Sequence, residues 1–198
     1  MRNSYNEGLR FAAQQSKRFS NAPSSRKQSL FGFTLVELLI VIAIIAVLGG
    51  IAVPVSMSMV AKGREAACLG NLRQIGIGLQ GYLADNNNRL PELALGRASK
   101  NSPEPVLETV LLSYVGGADV FHCPADREQF EKTGSSYNWN ITQNGLHMSK
   151  VAFLGIEDRP ESVPLVSDKE GWHPGETNFL YADSSSSNKP RFVTGGGN

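Results

Sequence analysis

The sequence predicts an α+β protein in which one long N-terminal helix packs on a small antiparallel β-sheet. Three observations lead to this prediction. Residues 38–61 form an uncharged, strongly apolar run of 24 residues. An amphipathic stretch with helical spacing follows it. The second half of the chain contains short β-forming runs between Gly, Pro, Asn and Ser breaks, with little room for crossover helices.

Composition and charge exclude several classes of protein. The chain has 198 residues, 41% hydrophobic and 19% charged, which is typical of neither a disordered tail nor a polytopic membrane protein. Residues 1–32 carry six basic residues and one acidic residue, a net +5, whereas the rest carries 13 basic and 17 acidic residues, a net −4. A nucleic-acid-binding domain would carry basic charge on its folded part, so we predict no nucleic acid partner.

The N-terminal region indicates a membrane segment. Residues 1–32 are polar and basic, and we predict a disordered leader. The apolar stretch 33–55 would be about 35 Å long as a helix, enough to cross a bilayer core of about 30 Å. The basic excess before it places the N-terminus in the cytoplasm and the body outside. A soluble core helix, a secretory signal peptide and a retained membrane helix are the three interpretations.

One short string favours the retained membrane helix. The residues GFTLVE, from Gly32 to Glu37, stand before the apolar run, and Pro54 lies further on. This pattern, over about 30 residues, resembles the processing site of type IV prepilins and type II secretion pseudopilins. The resemblance implies that a prepilin peptidase cuts after Gly32 and methylates Phe33. Glu37 would be the fifth mature residue and Pro54 the twenty-second, as is habitual in that family.

The residue types of this segment suit such a role. Glu37 lies one helical turn after Phe33, which carries a free cationic amine once the leader is removed. The resemblance implies that this carboxylate meets the N-terminal amine of a neighbouring subunit during assembly. The alternative is a glutamate at the membrane boundary without a partner. Pro54 removes one helical hydrogen bond and should kink or loosen the helix next to Gly49 and Gly50.

The helix is expected to continue to about residue 84, first as the membrane and assembly helix over 33–60 and then as an amphipathic continuation over 61–90. One apolar stripe in this second part predicts a face packed on a domain, at Cys68, Leu72, Ile75, Leu79 and Tyr82. Five glycines between residues 63 and 81 lower the helix propensity, so this part needs tertiary support. The sequence of Asp85 and three asparagines ends the pattern.

A globular α+β, pilin-like domain is predicted over 91–194, followed by a disordered tail over 195–198. It begins with a polar loop and a short helix over 106–115 that ends at two glycines. We expect an antiparallel sheet of four or five strands. The candidate β-runs are 120–123, 137–142, 151–156, 163–167, 179–182 and 192–193.

This second half also resembles one branch of pilin-like proteins. The branch has a Cys-Pro-x-Asp motif, here Cys123, Pro124 and Asp126, and then a His followed by nine residues and Asp-Gly. His173 and Asp183 fit that spacing, but Ser184 stands where the branch has glycine. Glycine there would serve a tight hairpin with a positive φ. We therefore expect a longer, looser turn between the last two strands of this chain.

The two cysteines predict a disulfide. Cys68 begins the apolar stripe of the helix, and Cys123 ends a predicted strand of the domain that this stripe should contact. Both are placed outside the cytoplasm, where disulfides persist. A Cys68–Cys123 bridge would tie the helix to the sheet. The alternative is two free buried thiols that never meet.

The sequence contains no recognisable catalytic motif. His122 and Cys123 are adjacent and would point to opposite sides of a strand, which makes them a poor chelating pair. His173 and Asp183 could meet across a hairpin, most simply as a structural hydrogen bond. Asp168 and Asp183 leave calcium as a further alternative, but their spacing is not that of known pseudopilin sites. We therefore predict no catalytic residue, no cofactor and no metal.

Together these features predict a structural subunit of a pilus-like or secretion-pseudopilus-like filament and not an enzyme. Its expected partners are the prepilin peptidase, other subunits contacted through the N-terminal helix, and the inner membrane. The expected location is a single-pass inner membrane protein with its C-terminal domain outside the cytoplasm, able to enter a filament. The alternatives are a minor or priming pilin, or a membrane-tethered ligand-binding or enzymatic domain that uses the prepilin export route.

Overall fold

A computed structural model describes residues 32–174 and 177–192 of the chain. The predicted disordered leader, apart from its last residue Gly32, and the predicted disordered tail lie outside the described residues. The chain divides after Val47 into two compact units. The first contains the beginning of a long helix, and the second contains the rest of that helix and the globular domain.

Helix α1 spans Leu35–Asp85, 51 residues, and continues unbroken through Pro54. Its buried positions include the predicted stripe except Tyr82, which is only half-buried, and they add Gly76, Gly78 and Leu83. The helix ends as predicted, because Asn87 and Asn88 adopt positive φ angles of 53° and 55°. Asparagine tolerates this left-handed conformation better than most residues, so it stops the helix at little cost.

Short helical segments lead from α1 to the sheet. Helix α2, Leu107–Val110, continues as a 3-10 turn at Leu112–Tyr114, where the sequence predicts one short helix. Helix α3 spans Gln129–Thr133 and ends at Gly134 in the left-handed conformation. Further single 3-10 turns lie at Ala118–Phe121, Ile141–Gln143, Met148–Lys150 and Pro160–Ser162.

Four antiparallel strands form one sheet in the order β1-β2-β3-β4, which confirms the predicted α+β architecture. The strands are β1 Tyr137–Trp139, β2 Pro164–Asp168, β3 Phe179–Tyr181 and β4 Ser186–Ser187. The register places Tyr137 opposite Asp168 and Phe179 opposite both Ser167 and Ser187. Side chains of the sheet and of α1 join one hydrophobic core around Leu72, Ile75, Trp139, Leu165 and Leu180.

Two predicted strands are wrong. Residues 120–121 end the 3-10 turn Ala118–Phe121, in which Val120 and Phe121 are both buried, and residues 122–123 follow it outside any strand. A strand with one buried face would alternate these two side chains between the core and solvent. Residues 151–156 fold into a turn, because Leu154 and Gly155 adopt positive φ angles of 51° and 78°.

The end of the domain also differs from the prediction. Phe192 packs its ring against Phe153 and Phe179 and is not part of a strand, and Val193 lies outside the described residues. The last strand is β4, and the expected long loose turn is absent among the residues described here. A tight turn joins β3 to β4, with Ser184 at φ 66° in the position where the related branch has glycine.

Candidate functional site

The predicted cleavage site lies directly before helix α1. Gly32 and Phe33 are exposed, and the Phe33 side chain is 83% accessible. The bond predicted to be cleaved lies before the helical hydrogen-bonding pattern, which begins with Leu38 N–H donating to the Thr34 carbonyl at 3.2 Å. A protease requires an extended, accessible backbone, and glycine has no side chain to obstruct it.

Thr34 and Glu37 close the first turn of α1 reciprocally. The backbone N–H and hydroxyl of Thr34 both donate to Glu37 Oε2 at 2.8 Å, and Glu37 N–H donates to Thr34 Oγ1 at 3.2 Å. This arrangement is a capping box, in which two backbone donors at a helix start are satisfied by side chains. Thr34 is therefore a capping residue, which our sequence analysis does not predict. The Thr-x-x-Glu spacing before an apolar run was the available signal.

The apolar part of α1 leaves its large side chains accessible on every face. Along residues 33–60 these side chains are between 46% and 83% exposed. Among the described residues, α1 is the one helix long and apolar enough to cross a membrane, and its most apolar window is not buried at all. A continuous exposed apolar surface of this kind requires a membrane or other apolar partners.

Comparison with known families decides what this segment is. Residues 31–53 match the family described as the prokaryotic N-terminal methylation motif. This N-terminal segment is that of a type IV prepilin-like protein. The match includes Gly32, Phe33 and Glu37, so the motif implies a substrate of the prepilin peptidase and a subunit able to assemble with pilins. Comparisons with curated proteins and with solved structures return no match.

The prepilin match ends at Val53 and does not include the globular domain, so the role of that domain has to be inferred from its own geometry. Pro54 lies just beyond the match, inside α1. The Ser56 hydroxyl donates to the Ala52 carbonyl at 2.8 Å in the turn that contains Pro54. A serine back-bond of this kind is often found where a helix bends. The resemblance of the second half to the branch with the His-x9-Asp motif is not confirmed by this match.

A disulfide between Cys68 and Cys123 joins α1 to the segment after the 3-10 turn Ala118–Phe121, as predicted. The two Cα atoms are 5.0 Å apart, both residues are fully buried, and their sequence positions differ by 55. Asn71, on the next turn of α1, donates to the His122 carbonyl at 2.7 Å. The bridge and this hydrogen bond therefore fix the same two segments against each other.

His173 lies against the disulfide and next to Asp168. Its Nε2 atom is 3.3 Å from Cys123 Sγ and 3.6 Å from Asp168 Oδ2, and both side chains are fully buried. The strand register positions Asp168, because Asp168 is the last residue of β2 and pairs with Tyr137. Its Oδ2 also accepts a hydrogen bond from Asn178 N–H at 2.9 Å.

Burial sets the protonation of this cluster. It raises the pKa of Asp168 to about 7, because the carboxylate loses its solvation and the hydrogen bond from Asn178 N–H offsets that loss only in part. Burial lowers the pKa of His173, because it disfavours the charged, protonated form of the imidazole. Among the described residues, five polar atoms around the cluster have no hydrogen-bond partner: Tyr137 Oη, Asp168 Oδ1, His173 Nδ1, Asn178 Nδ2 and Asn178 Oδ1.

The expected meeting of His173 and Asp183 is wrong. Asp183 lies in the β3–β4 turn, where its Oδ1 accepts hydrogen bonds from the Ser185 N–H at 2.9 Å and from the Ser185 hydroxyl at 2.5 Å. Its Oδ2 is 4.0 Å from Arg191. His173 pairs instead with Asp168. The calcium alternative used Asp168 and Asp183 together, and the structure gives these two carboxylates different surroundings.

The Cys-Pro-x-Asp motif has a structural explanation. The Asp126 carboxylate accepts backbone hydrogen bonds from Glu128, Gln129 and Phe130 at 2.8–2.9 Å, and a further one from the Ser136 hydroxyl at 2.6 Å. These bonds outweigh the burial of Asp126 and lower its pKa. Asp126 thus fixes the start of α3 beside Cys123, whose own N–H donates to Ser136 Oγ at 2.9 Å.

The other histidines lie away from this cluster. His122 stacks on Phe130, with ring centroids 4.4 Å apart, and does not act with Cys123 as a chelating pair. His147 Nδ1 is 2.9 Å from Ser149 Oγ at the start of the 3-10 turn Met148–Lys150.

Proposed function

We propose that this protein is a structural subunit of a type IV pilus-like or type II secretion pseudopilus-like filament. The observation that carries the proposal is a prepilin motif at the start of a helix whose apolar side chains are exposed over residues 33–60. Such a surface suits the membrane before assembly and the apolar helices of neighbouring subunits afterwards. The two environments are chemically alike, so one surface serves both.

Processing at Gly32 is the first step of this proposal. The prepilin peptidase removes the basic leader on the cytoplasmic side and methylates the amine of Phe33. The basic excess of the leader favours this orientation, with the globular domain outside the cytoplasm. The disulfide between Cys68 and Cys123 supports it, since such bonds form and persist outside the cytoplasm.

Glu37 then has two competing roles. Within one subunit its carboxylate accepts two hydrogen bonds from Thr34 and closes the first turn of α1. In the filament, the methylated amine of a neighbouring subunit provides a cation for the same carboxylate. An ion pair in an apolar surrounding is stronger than the hydrogen bonds that the uncharged groups of Thr34 donate to the same carboxylate, so assembly favours the second partner.

A role without enzymatic chemistry is part of the proposal. The enzymatic alternative requires an exposed pocket at His173 and Asp183. The His173 side chain is instead fully buried against a disulfide, and Asp183 is part of a hairpin turn. These positions favour a domain that is displayed on a filament over one that turns over a substrate.

Substitutions at Glu37 test the proposal. Glu37→Gln keeps an amide oxygen that can complete the capping box but removes the negative charge. We expect both Glu37→Gln and Glu37→Ala to reduce incorporation into sheared filaments strongly, because the charge is needed. Cleavage and the unfolding transition of the domain should remain unchanged.

Thr34→Ala is the matched control, because it removes the cap and keeps the carboxylate. It should cost the helix start about 1 kcal/mol and reduce incorporation less than Glu37→Gln. Normal incorporation of Glu37→Gln, with loss only in Thr34→Ala, would reduce Glu37 to a capping residue and contradict the assembly role.

A further inference from the structure

Three potential metal ligands converge inside the globular domain, beyond anything that the filament role requires. The two sulfur atoms of Cys68 and Cys123 and a ring nitrogen of His173 all lie within 4.8 Å of one another. All three residues are buried, and the His173 side chain has no accessible surface. The fold brings these groups together from helix α1, the segment before α3 and the loop after β2.

Asp168 supplies a fourth group at the same place. Its Oδ2 is 3.6 Å from His173 Nε2, and its Oδ1 has no hydrogen-bond partner among the described residues. His173 Nδ1 likewise lacks a partner within the described part of the chain. Buried polar atoms without partners are uncommon in folded proteins because each costs desolvation energy, so this cluster calls for an explanation beyond packing.

We propose that, before the disulfide forms, Cys68, Cys123, His173 and Asp168 bind one zinc ion. Two thiolates, one imidazole nitrogen and one carboxylate oxygen make a four-ligand set of the kind that Zn²⁺ takes in tetrahedral sites. The two thiol protons, and the proton of Asp168 where it is protonated, leave to solvent when the metal binds, and no electron is transferred. The ion neutralises two of the three negative charges that the two thiolates and the Asp168 carboxylate bring together, so it favours their ionised forms in a site without solvent.

Zinc binding and disulfide formation use the same two sulfur atoms, so each excludes the other. A sulfur in a disulfide is no longer a thiolate and does not serve as a zinc ligand. In the reduced chain, zinc would link α1 to the globular domain at the point where the disulfide links them later. The site therefore gives the newly exported domain a fixed connection to its helix before oxidation.

A zinc titration of the full chain in detergent micelles tests this inference. The protein is reduced with a phosphine, freed of metal, and titrated with Zn²⁺ against a chromophoric chelator. We expect one equivalent to bind to the reduced chain and none to the disulfide form. Co²⁺ should give the intense visible bands of tetrahedral coordination and a near-ultraviolet thiolate-to-metal band.

Variants assign the ligands. Removing groups that only support a zinc ligand costs about 10–100-fold in affinity, so losing the ligand itself in His173→Gln should cost at least about tenfold. His147→Gln removes an imidazole outside the cluster and should leave the affinity unchanged. Cys68→Ser combined with Cys123→Ser should abolish binding.

Two results would overturn the proposal. One is a reduced wild-type chain that binds zinc no better than the double serine variant. The other is a His173→Gln variant with wild-type affinity. The near-ultraviolet circular dichroism of buried Trp139 in the disulfide form reports whether each single-histidine variant is folded. Should His173→Gln fail to fold, an octahedral Co²⁺ spectrum of the reduced wild type would still contradict the site.

Discussion

The two halves of helix α1 differ in the exposure of their apolar side chains. Up to about residue 60, leucines, isoleucines and valines stand on every face and remain exposed, as at Ile45 and Leu48, each 62% accessible. From Cys68 onward, the buried positions follow a single stripe that ends at Leu83. The first half therefore depends on surroundings that the chain does not supply, and the second half depends on its own domain.

The free energy of burial differs between the two halves of α1. Burying a large aliphatic side chain contributes about 1.5–3 kcal/mol. Each buried residue of the stripe gains that energy within the fold, whereas each exposed residue of the first half gains it only in a membrane or a filament. Changes in the globular domain should therefore alter its stability and leave processing and membrane insertion unaffected.

Loss of the disulfide should produce the largest effect. For a bridge that closes a loop of about 55 residues, the chain-entropy model gives about 4 kcal/mol of stabilisation. Cys68→Ala and Cys123→Ala should each lower the free energy of unfolding by about that amount, and the double variant by little more. Urea unfolding of the full chain in micelles, followed through Trp139, measures this. A double variant twice as destabilised as either single one would contradict a shared bridge.

The second effect is a pH dependence that comes from Asp168. Its pKa is raised by burial to about 7 in the folded domain, from 3.8 without it. The folded state thus holds a proton that the unfolded state has lost, and stability falls as the pH rises between these two values. The lowered pKa of His173 acts in the opposite direction, with loss of stability as the pH falls below about 6.5.

Asp168→Asn separates the two contributions, because asparagine imitates the protonated acid and keeps the acceptor for Asn178 N–H. The variant should match the wild type in stability near about pH 4 and exceed it by about 1–3 kcal/mol near about pH 8. Unfolding curves of both proteins across this range give the difference. A constant difference at all pH values would exclude Asp168 as its source.

Two glycines in the second half of α1 form a matched pair, and one of them, Gly63, should give the smallest effect. A Cβ built on Gly78 would lie 2.6 Å from Val115 Cγ1 and 3.2 Å from the Tyr114 carbonyl oxygen, whereas one built on Gly63 meets nothing within 4 Å. Gly78→Ala should destabilise the domain by about 1–3 kcal/mol through overpacking. Gly63→Ala should stabilise the helix by about 0.5–1 kcal/mol. Equal effects in thermal unfolding would show that the approach at Gly78 is not tight.

The features that sequence predicted well are those with a strong local signal. The apolar run, the stripe and the GFTLVE string fix α1 and its motif, and the partner of Cys68 follows because Cys123 is the one other cysteine. The strands were predicted less well. A short run of β-forming residues at 120–123 does not reveal that both Val120 and Phe121 face the core.

Long-range pairings explain the rest of the differences. The spacing between His173 and Asp183 suggested a contact, but Asp168 is brought to His173 by the pairing of β2 with β1 and β3. The tight β3–β4 turn also depends on tertiary contacts. Ser186 Oγ donates to the Leu69 carbonyl at 3.1 Å, and Asn188 donates to Glu65 at 2.9 Å, both on α1. These contacts can hold Ser184 at its unfavourable φ.

The mature N-terminus tests the central claim most directly. Intact-mass and peptide mass spectrometry of the protein recovered from its native membrane should show a chain that begins at N-methylated Phe33 and lacks residues 1–32. A chain that begins beyond Ala52 would show removal of a secretory signal peptide and loss of the helix that the filament role requires. A chain that retains its leader would contradict processing at Gly32.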